Sequence, residues 1–356
     1  MKDVLWIMPP KRLINSGVYK YSDLIINSAP NIQKLHLPNN KLRYIFQFLI
    51  LPFILIFSSM IYKKVIFAEE GYGFLVPFFL REKIIIVHDI RTSDEVTSFK
   101  EWLKSIYIKL SLLGIRYSNK IICVSKFTEN SLKSNNICDF STTSVSVIYN
   151  AIEKEVLLTD GTVDKKLVDF VNNAKQFPNK VVFLYVGSDE TRKNTIALVK
   201  ALNSASPTFS KNIFLLKVGR PINESNFELV NKQLVSSNNI TGFLCLSEVS
   251  SIDLDYVYSM SDVFIMPSTF EGFGRTPIEA QCYGLPVIST DAAALAEVLG
   301  DSCIRIPAPY GSEQIKFAID KWLSCYNNQD LILTGHQNAQ RFSKESVVKQ
   351  FKEFIQ

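Results

Sequence analysis

Two carboxylates, Glu271 and Glu279, bracket a glycine-containing loop and the start of a helix. Upstream, Val263 to Met266 is a short apolar run that reads as a buried strand. Pro267 to Gly274 forms a loop. Thr276, Pro277 and Glu279 then read as a helix start, with Thr276 at the N-cap, Pro277 at the first helical position and Glu279 three residues after the cap. Gly284 ends the helix, and Leu285 to Ser289 is the next strand. This unit places backbone N–H groups and a helix N-terminus beside two acids. Such a terminus attracts phosphate. Ionised carboxylates are pure acceptors and suit the hydroxyls of a sugar. Glu279 already has a structural reason in the capping box. Glu271, followed by Gly272, Phe273 and Gly274, has no capping role.

A second polar cluster follows the apolar run Val181 to Val186. There Gly187 permits close backbone approach, and Arg192 and Lys193 put two cations at an expected helix start. Cations are disfavoured at that end of a helix unless an anion sits there. A plain solvated Arg-Lys pair is the alternative. His88, one of only three histidines, ends the strand Lys83 to Val87, whereas His36 falls in a loop and His336 in a polar helical region. Asp253 and Asp255 have the spacing of an Asp-x-Asp metal motif. They fall instead on an amphipathic helix, 251–260, expected to turn Leu254, Val257 and Tyr258 inward. No His, Cys, Asp or Glu cluster has metal-ligand spacing. There is no Walker loop, no Gly-x-Gly-x-x-Gly, and no basic–aromatic pattern of a nucleic-acid binder.

These residues need elements to hold them. Val4 to Met8, Lys64 to Ala68, Lys83 to Val87, Lys120 to Val124 and Val145 to Tyr149 read as strands, with helices near 18–28, 96–116 and from Thr128. Residues 151–179 are polar and mixed, the composition of a connection between domains. A second series begins at Val181, with strands Ile213 to Val218, Ile240 to Phe243, Val263 to Met266, Pro286 to Ser289 and Cys303 to Ile306. Helices are expected near 193–203, 223–237, 253–260, 277–283 and 312–325. Strands alternating with helices predict parallel sheets flanked by helices, an α/β fold of two doubly wound domains. Ligands bind outside the carboxyl ends of such strands. Gly17, His88, Ser125, Asn150, Gly187, Gly219 and loop 267–275 all fall there, which predicts a cleft between facing domains. The expected division is 1–165 and 166–342, with an amphipathic helix in the tail 343–356.

With 356 residues, 47% hydrophobic and 21% charged, the chain can bury two ordinary cores and is not a disordered or fibrous sequence. Its charge is uneven. Residues 1–160 hold 20 Lys/Arg against 14 Asp/Glu, while residues 161–356 hold 19 against 20. The basic half is either an ordinary solvated surface or one that faces anionic lipid. Tyr44 to Tyr62 carries no charge and is flanked by Lys41, Arg43, Lys63 and Lys64. Pro52 interrupts it, and the strands before and after it belong to one sheet. The preferred reading is a helix packed in its domain and lying partly on a membrane surface; full burial and spanning are the alternatives. The six cysteines, Cys123, Cys138, Cys245, Cys282, Cys303 and Cys325, are scattered. They read as packed thiols of a cytoplasmic protein, and Val4 to Met8 is too short for a signal core.

The block Pro267, Ser268, Glu271 to Gly274, Pro277, Glu279 and Ala280 resembles the Glu-x7-Glu motif of retaining GT-B glycosyltransferases of the large family 4. The resemblance continues through Gly284, Pro286 to Ile288, Glu297, Val298, Gly300 and Asp301. It also takes in Val186 and Gly187 with Arg192 to Asn194, Val124, Ser125 and Thr128, Val147, Ile148 and Asn150, and His88 with Asp89. It spans about residues 83–310. The resemblance implies a GT-B fold, a last helix at 343–356 packing back on the first domain, and a nucleoside-diphosphate sugar as donor substrate, with no cofactor and no metal. Glu279 would bind ribose hydroxyls and Glu271 the donor sugar, near the backbone N–H groups of Phe273, Gly274 and Arg275. Arg192 and Lys193 would clamp the diphosphate, and His88 would sit at the reaction centre. Two fixed cations and a helix terminus can offset a developing diphosphate charge. Two departures stand out. The family's Gly-Gly pair after the first strand is represented by Gly17, which would face the acceptor, and an Arg directly after Val-Gly is here Ser188, with Arg192 in its stead. The resulting expectation is a metal-independent hexosyltransferase. It would move a hexose or deoxyhexose (mannose, rhamnose, glucose or similar) to a saccharide acceptor, lipid-linked, in bacterial O-antigen or capsule synthesis. It would be cytoplasmic, with the inner-membrane surface as a peripheral partner and no nucleic acid. A nucleotide-sugar epimerase and a non-catalytic nucleotide-sugar-binding scaffold remain as alternatives.

Overall fold

The computed structural model describes residues 2–10, 16–29, 31–40, 42–90, 99–152, 162–205, 211–324 and 329–356. Asn15, Lys41, Gly161 and Cys325 lie outside these, as do residues 96–98 of the expected helix. The chain divides into two units, Met1–Ala151 with Lys344–Gln356, and Ile152–Ser343.

The first unit holds six strands: β1 (Lys2–Ile7), β2 (Ile32–Leu35), β3 (Tyr62–Phe67), β4 (Glu82–Val87), β5 (Lys120–Cys123) and β6 (Ser144–Val147). They pair in parallel in the order β2-β1-β3-β4-β5-β6. Ile84 to Val87 are all buried. A continuous apolar run is what a parallel strand covered on both faces requires. The order reverses between β1 and β3, so the loops after these strands flank a switch point. The helix Lys344–Ile355 returns to this unit, with Phe351 buried and its ring 5.6 Å from that of Trp6.

β2 has no counterpart in the sequence reading. It is a four-residue edge strand with a mixed burial pattern, so neither an apolar run nor strict alternation marks it. The charge-free run is helical over Leu42–Ile45, wider-wound over Phe46–Ile50 and helical again over Leu51–Ser58. The wide turn directly precedes Pro52, which has no N–H to donate to the preceding turn. The helix is shorter than the run, because Tyr62 already belongs to β3. A 3-10 segment, Glu70–Phe78, was also not anticipated. It packs against the helix Phe99–Ile115 at main-chain distance. A Cβ on Gly73 would lie 2.0 Å from the carbonyl oxygen of Ser111, and one on Gly114 would lie 2.1 Å from that of Gly73.

The second unit holds β7 (Lys180–Val186), β8 (Asn212–Val218), β9 (Ile240–Leu246), β10 (Val263–Met266), β11 (Val287–Thr290) and β12 (Ile304–Ile306). All pair in parallel, in the order β12-β11-β10-β7-β8-β9. The order reverses between β7 and β10, so the loops after these two strands lie side by side at the carboxyl edge. The sheet's core includes Phe183, Tyr185, Leu215 and Ile265, with Trp322 of the helix Ser312–Ser324 edge-on to Phe183.

Residues 151–179 are not all a connection. Lys165–Lys175 is a helix of this unit, started by Asp164, whose side chain accepts from Lys166 N. Leu167, Val171 and Ala174 lie on one face and are buried, and burying such a Leu or Val contributes about 1.5–3 kcal/mol. The polar face, six of the helix's eleven residues being Lys, Asp or Asn, masks that stripe in the composition. In the helix Ser251–Met260 the inward residues are Asp253, Val257 and Tyr258, while Leu254 is half-buried. Asp253 turns in because it is a cap. It accepts from Ser250 N and Ser250 Oγ and, at 2.8 Å, from Asp164 N. Asp255 accepts from the Tyr283 hydroxyl. Both acids of the Asp-x-Asp pair thus have structural partners.

Gly114→Ala should destabilise the first unit by about 1–3 kcal/mol through overpacking, despite the ~1 kcal/mol that Ala gains over Gly in an open helix. A denaturant titration followed by Trp6 fluorescence reads this; an unchanged midpoint would contradict the main-chain contact.

Candidate active site

Loop 187–194 leaves β7 and loop 267–274 leaves β10. The first contains a single 3-10 turn, Thr191–Lys193, and Asn194 then takes a left-handed conformation (φ 57°) before the helix Thr195–Asn203. Asn tolerates that region better than most residues. Its amide also holds the two loops together, donating 3.2 Å to Pro267 O and 2.8 Å to Tyr310 O. The Thr269 N–H donates 2.8 Å to Arg192 O.

This stitching brings three of the expected residues into contact. Lys193 Nζ donates 2.7 Å to Glu271 Oε1, and Arg192 Nη1 donates 3.1 Å to Glu271 Oε2. Arg192 also donates from Nη1 to Phe270 O at 3.1 Å and from Nε to Glu190 Oε2 at 2.8 Å. Glu271 is only 7% exposed. Its burial alone would raise the carboxyl pKa, but the charges of Lys193 and Arg192, with hydrogen bonds from Lys193 and Ser268, hold it below the usual carboxylate range. Arg192 is likewise desolvated, yet Glu271 and Glu190 keep its pKa raised. The anion that the Arg-Lys pair requires is therefore supplied by the chain itself, and Glu271 has a structural function that its loop position did not disclose. A carboxylate has about four lone-pair sites, so the bonds from Lys193, Arg192 and Ser268 still leave acceptor capacity for a hydroxyl.

Glu279 differs from expectation. The helix spans Arg275–Cys282, its N-cap is Gly274 (φ 86°), and no side chain caps it. Thr276 is the second helical residue, so there is no capping box. Gly274 is required by its positive φ and by Leu295, whose Cδ2 would lie 2.5 Å from a Cβ. Glu279 instead faces Arg275 one turn back (3.4 Å) and accepts 3.1 Å from the Tyr258 hydroxyl. Tyr258 is stacked on Tyr283, 5.1 Å between centroids. With no capping task, Glu279 loses its main structural explanation. Phe273 is buried edge-on against Phe342 at 5.3 Å. Gly187 has a local cause as well: a Cβ there would stand 2.6 Å from the Tyr185 hydroxyl, which donates to Ser188 O.

Two further residues hold loop 187–194, and the sequence reading assigned them nothing. Lys217 Nζ lies 3.0 Å from each oxygen of Asp189, and the residues are 2% and 0% exposed. Asp189 N donates to Arg220 O, and Asn226 Nδ2 donates to Asp189 O. A lysine inside the apolar run Ile213 to Val218 is the signal that would have found this pair.

His88 and Gly17 belong to the first unit. His88 follows β4; its N–H donates 2.9 Å to Glu70 Oε2, its Nε2 lies 3.0 Å from Ala68 O, and its ring is edge-on to Tyr21 at 5.8 Å. Burial, then the charge of Asp89, push Glu70 up to about 8. Gly17 begins the helix Gly17–Asn27, which Ser16 caps by accepting from Tyr19 N. Ser125 caps the helix Lys126–Ser134 by accepting from Thr128 N at 3.1 Å.

Lys217→Met alone strands a buried carboxylate and should cost the second unit about 3–5 kcal/mol; Lys217→Met with Asp189→Leu should cost less than the single change. A denaturation double-mutant cycle reads the difference, and simple additivity would refute the pairing. Glu70 titrates higher folded than unfolded (about 8 against about 4.3), so the neutral form favours folding. Its contribution is full below the unfolded pKa and is lost as pH rises through the folded one. Melting temperatures of wild type and Glu70→Gln should therefore run parallel below about pH 4 and diverge in the variant's favour up to about pH 8. A constant gap across that window would sink this account.

The family model "Glycosyl transferases group 1" matches residues 169–338. An uncharacterized 41.2 kDa protein in the cps region of Klebsiella pneumoniae is 26% identical over 258 residues, 70% of this chain and 66% of that protein. The O-antigen chain mannosyltransferase RfbU of Salmonella typhimurium is 27% identical over 229 residues, 64% of this chain and 57% of that enzyme. The match thus spans about two thirds or less of these relatives. Anabaena Alr3699/HepE, solved with UDP, superposes with a TM-score of 0.76 at 14% identity over 100% of this chain and 99% of its own, and its complex with UDP-glucose gives 0.74 at 15%. Two parallel six-stranded sheets in this arrangement are the GT-B architecture. Residues 169–338, the part of the chain that is similar to the glycosyl transferases group 1 model, contain Arg192, Lys193, Glu271 and Glu279.

Proposed function

We propose that the protein is a retaining, metal-independent hexosyltransferase. It moves a hexose or deoxyhexose from a nucleoside-diphosphate sugar to a saccharide acceptor carried on lipid, in the building of a bacterial surface polysaccharide. The observation that carries this reading is the buried contact of Glu271 with Lys193 and Arg192 at the switch point of the second sheet. The sugar and nucleotide classes are supported by a relative named O-antigen mannosyltransferase and a structural neighbour solved with UDP-glucose. Retention of anomeric configuration rests on the resemblance of the Glu271–Glu279 block.

Each residue has a task that its chemistry suits. Lys193 and Arg192 lie where two cations can take up the charge that grows on a departing diphosphate, as preorganised donors in a dry site do. Glu271 stays ionised and accepts from sugar hydroxyls with its remaining lone pairs. Glu279, held by Arg275 and Tyr258, takes the ribose hydroxyls. Gly187, Phe273, Gly274 and Arg275 shape the backbone against the donor. His88, fixed at its N–H by Glu70, serves the reaction centre, and the loop before Gly17 serves the acceptor.

Lys193→Ala and Glu271→Ala should each lower turnover by about 10²–10³-fold, the usual loss for one preorganised charge-stabilising group. Near-normal turnover in either would overturn the assignment. A thermal-shift screen of nucleoside-diphosphate sugars should raise the melting point with at least one, and the product's anomeric proton in NMR should keep the donor's configuration. An inverted product would refute retention.

A further inference from the structure

The helical run 42–58 is built inside out. Its polar residues Arg43, Gln47 and Ser58 are buried, together with Ser59 just beyond it. Gln47 Nε2 donates to the Tyr107 hydroxyl, the Arg43 guanidinium lies 4.7 Å over the Tyr44 ring, and Ser59 Oγ accepts from Leu80 N. Leu51 and Leu55 anchor the run in the core, but most of its large apolar residues point outward. Between Leu42 and Ile61 eleven of them are exposed, among them Leu49, Phe53, Phe57 and Met60, with Phe53 at 63%.

The helix Phe99–Ile115 repeats the inversion. Its inner face carries the small residues Ser111 and Gly114. Phe99, Leu103, Ile106, Leu110, Leu113 and Tyr117 recur at alternating spacings of four and three, which is one helical stripe. All but Ile106 are exposed, Leu110 at 51%, and Trp102 beside them is 48% exposed. The two helices are neighbours: Phe48 is stacked on Phe74 at 4.9 Å and edge-on to Tyr107 at 6.0 Å. The two apolar faces therefore meet. Tyr44, Phe48, Phe53 and Phe57, at ~150–250 Å² each and roughly half exposed, alone leave about 400 Å², and with the aliphatic residues around them the face exceeds the largest patch of a typical soluble monomer, about 300–600 Å².

Charge identifies the occupant. Lys109 and Arg116, two turns apart and both exposed, line the edge of the stripe away from Tyr107, and Lys104 is exposed near its start. A second copy seated by two-fold symmetry would bring like-charged rims together, whereas anionic headgroups neutralise them at about 1 kcal/mol per cation. No helix of the described residues is long and apolar enough to cross a membrane, and aromatic and aliphatic faces with basic edges suit the interface plane.

We propose that the helices 42–58 and 99–115 form one monotopic surface that lies in an anionic bilayer interface. This deepens the proposed function by stating where a lipid-borne acceptor is met, and it rests on that reading for the acceptor alone. The full chain should float with vesicles of phosphatidylglycerol and phosphatidylcholine at low salt. Trp102 emission should shift to the blue, because Trp6 and Trp322 are already buried. Leu110→Glu with Leu113→Glu, and separately Phe53→Glu, should lower vesicle binding by about tenfold or more; Lys109→Glu with Arg116→Glu should abolish the preference for phosphatidylglycerol. Absence of wild-type binding, or binding undiminished in all variants, would overturn the surface. So would a wild-type dimer in light scattering that Leu110→Glu dissolves, since a second copy would then be the occupant. Nucleotide-sugar thermal shifts on the same variants separate the two readings. A shift without vesicle binding sinks the surface alone, and vesicle binding without any shift supports the surface while sinking the transferase.

Discussion

A carboxylate withdrawn from water is tolerable only when positive charge surrounds it, and Glu271 is such a group. Lys193 and Arg192 supply that charge from a different loop. The arrangement of the second unit follows from this need. The acid leaves β10 and the cations leave β7, and these strands are neighbours because the sheet reverses its order there. Asn194 turns left-handed so that the cations precede the helix instead of entering its first turn. Below them, Asp189 and Lys217 fix the base of the loop by a second buried pair. Removing Lys217 leaves Asp189 without its cation, whereas removing Lys193 leaves Glu271 to Arg192 alone.

The strands were legible because parallel strands are apolar runs, and Val181 to Val186 or Ile84 to Val87 cannot be much else. The pairing within the site was not. Glu271 and Lys193 are far apart in sequence, and their contact depends on which strands lie side by side, a property of topology and not of local pattern. The misreading of Glu279 has a different cause. Thr276, Pro277 and Glu279 satisfy the spacing of a capping box, but Gly274 can adopt the left-handed conformation and starts the helix sooner. Helix Lys165–Lys175 escaped notice because its buried stripe is only Leu167, Val171 and Ala174 within a polar sequence. Conversely, the charge-free run at 44–62 was conspicuous, but its orientation could not be read from composition. The burial of Arg43, Gln47, Leu51 and Leu55 shows which face is inward.

The two units treat polarity in opposite ways. In the second, charges are buried in matched pairs, and a ligand's anion would compete with a carboxylate already in place. In the first, Glu70 is buried against Asp89's charge and holds its proton up to about pH 8, while the apolar surface lies outside. One unit therefore concentrates fixed charge and the other concentrates unburied hydrocarbon.

The contact between Gly73 and Gly114 has a mechanical side. Where side chains separate two segments, rotamer changes absorb small displacements. Here main chain meets main chain, and there is no such slack. The helix Phe99–Ile115 and the 3-10 segment Glu70–Phe78 must then move as one rigid lever. At the segment's first residue stands Glu70, whose carboxyl oxygen accepts from the backbone N–H of His88. A load borne on the outer face of that helix is thus transmitted, without loss to side-chain play, to the residue at the end of β4.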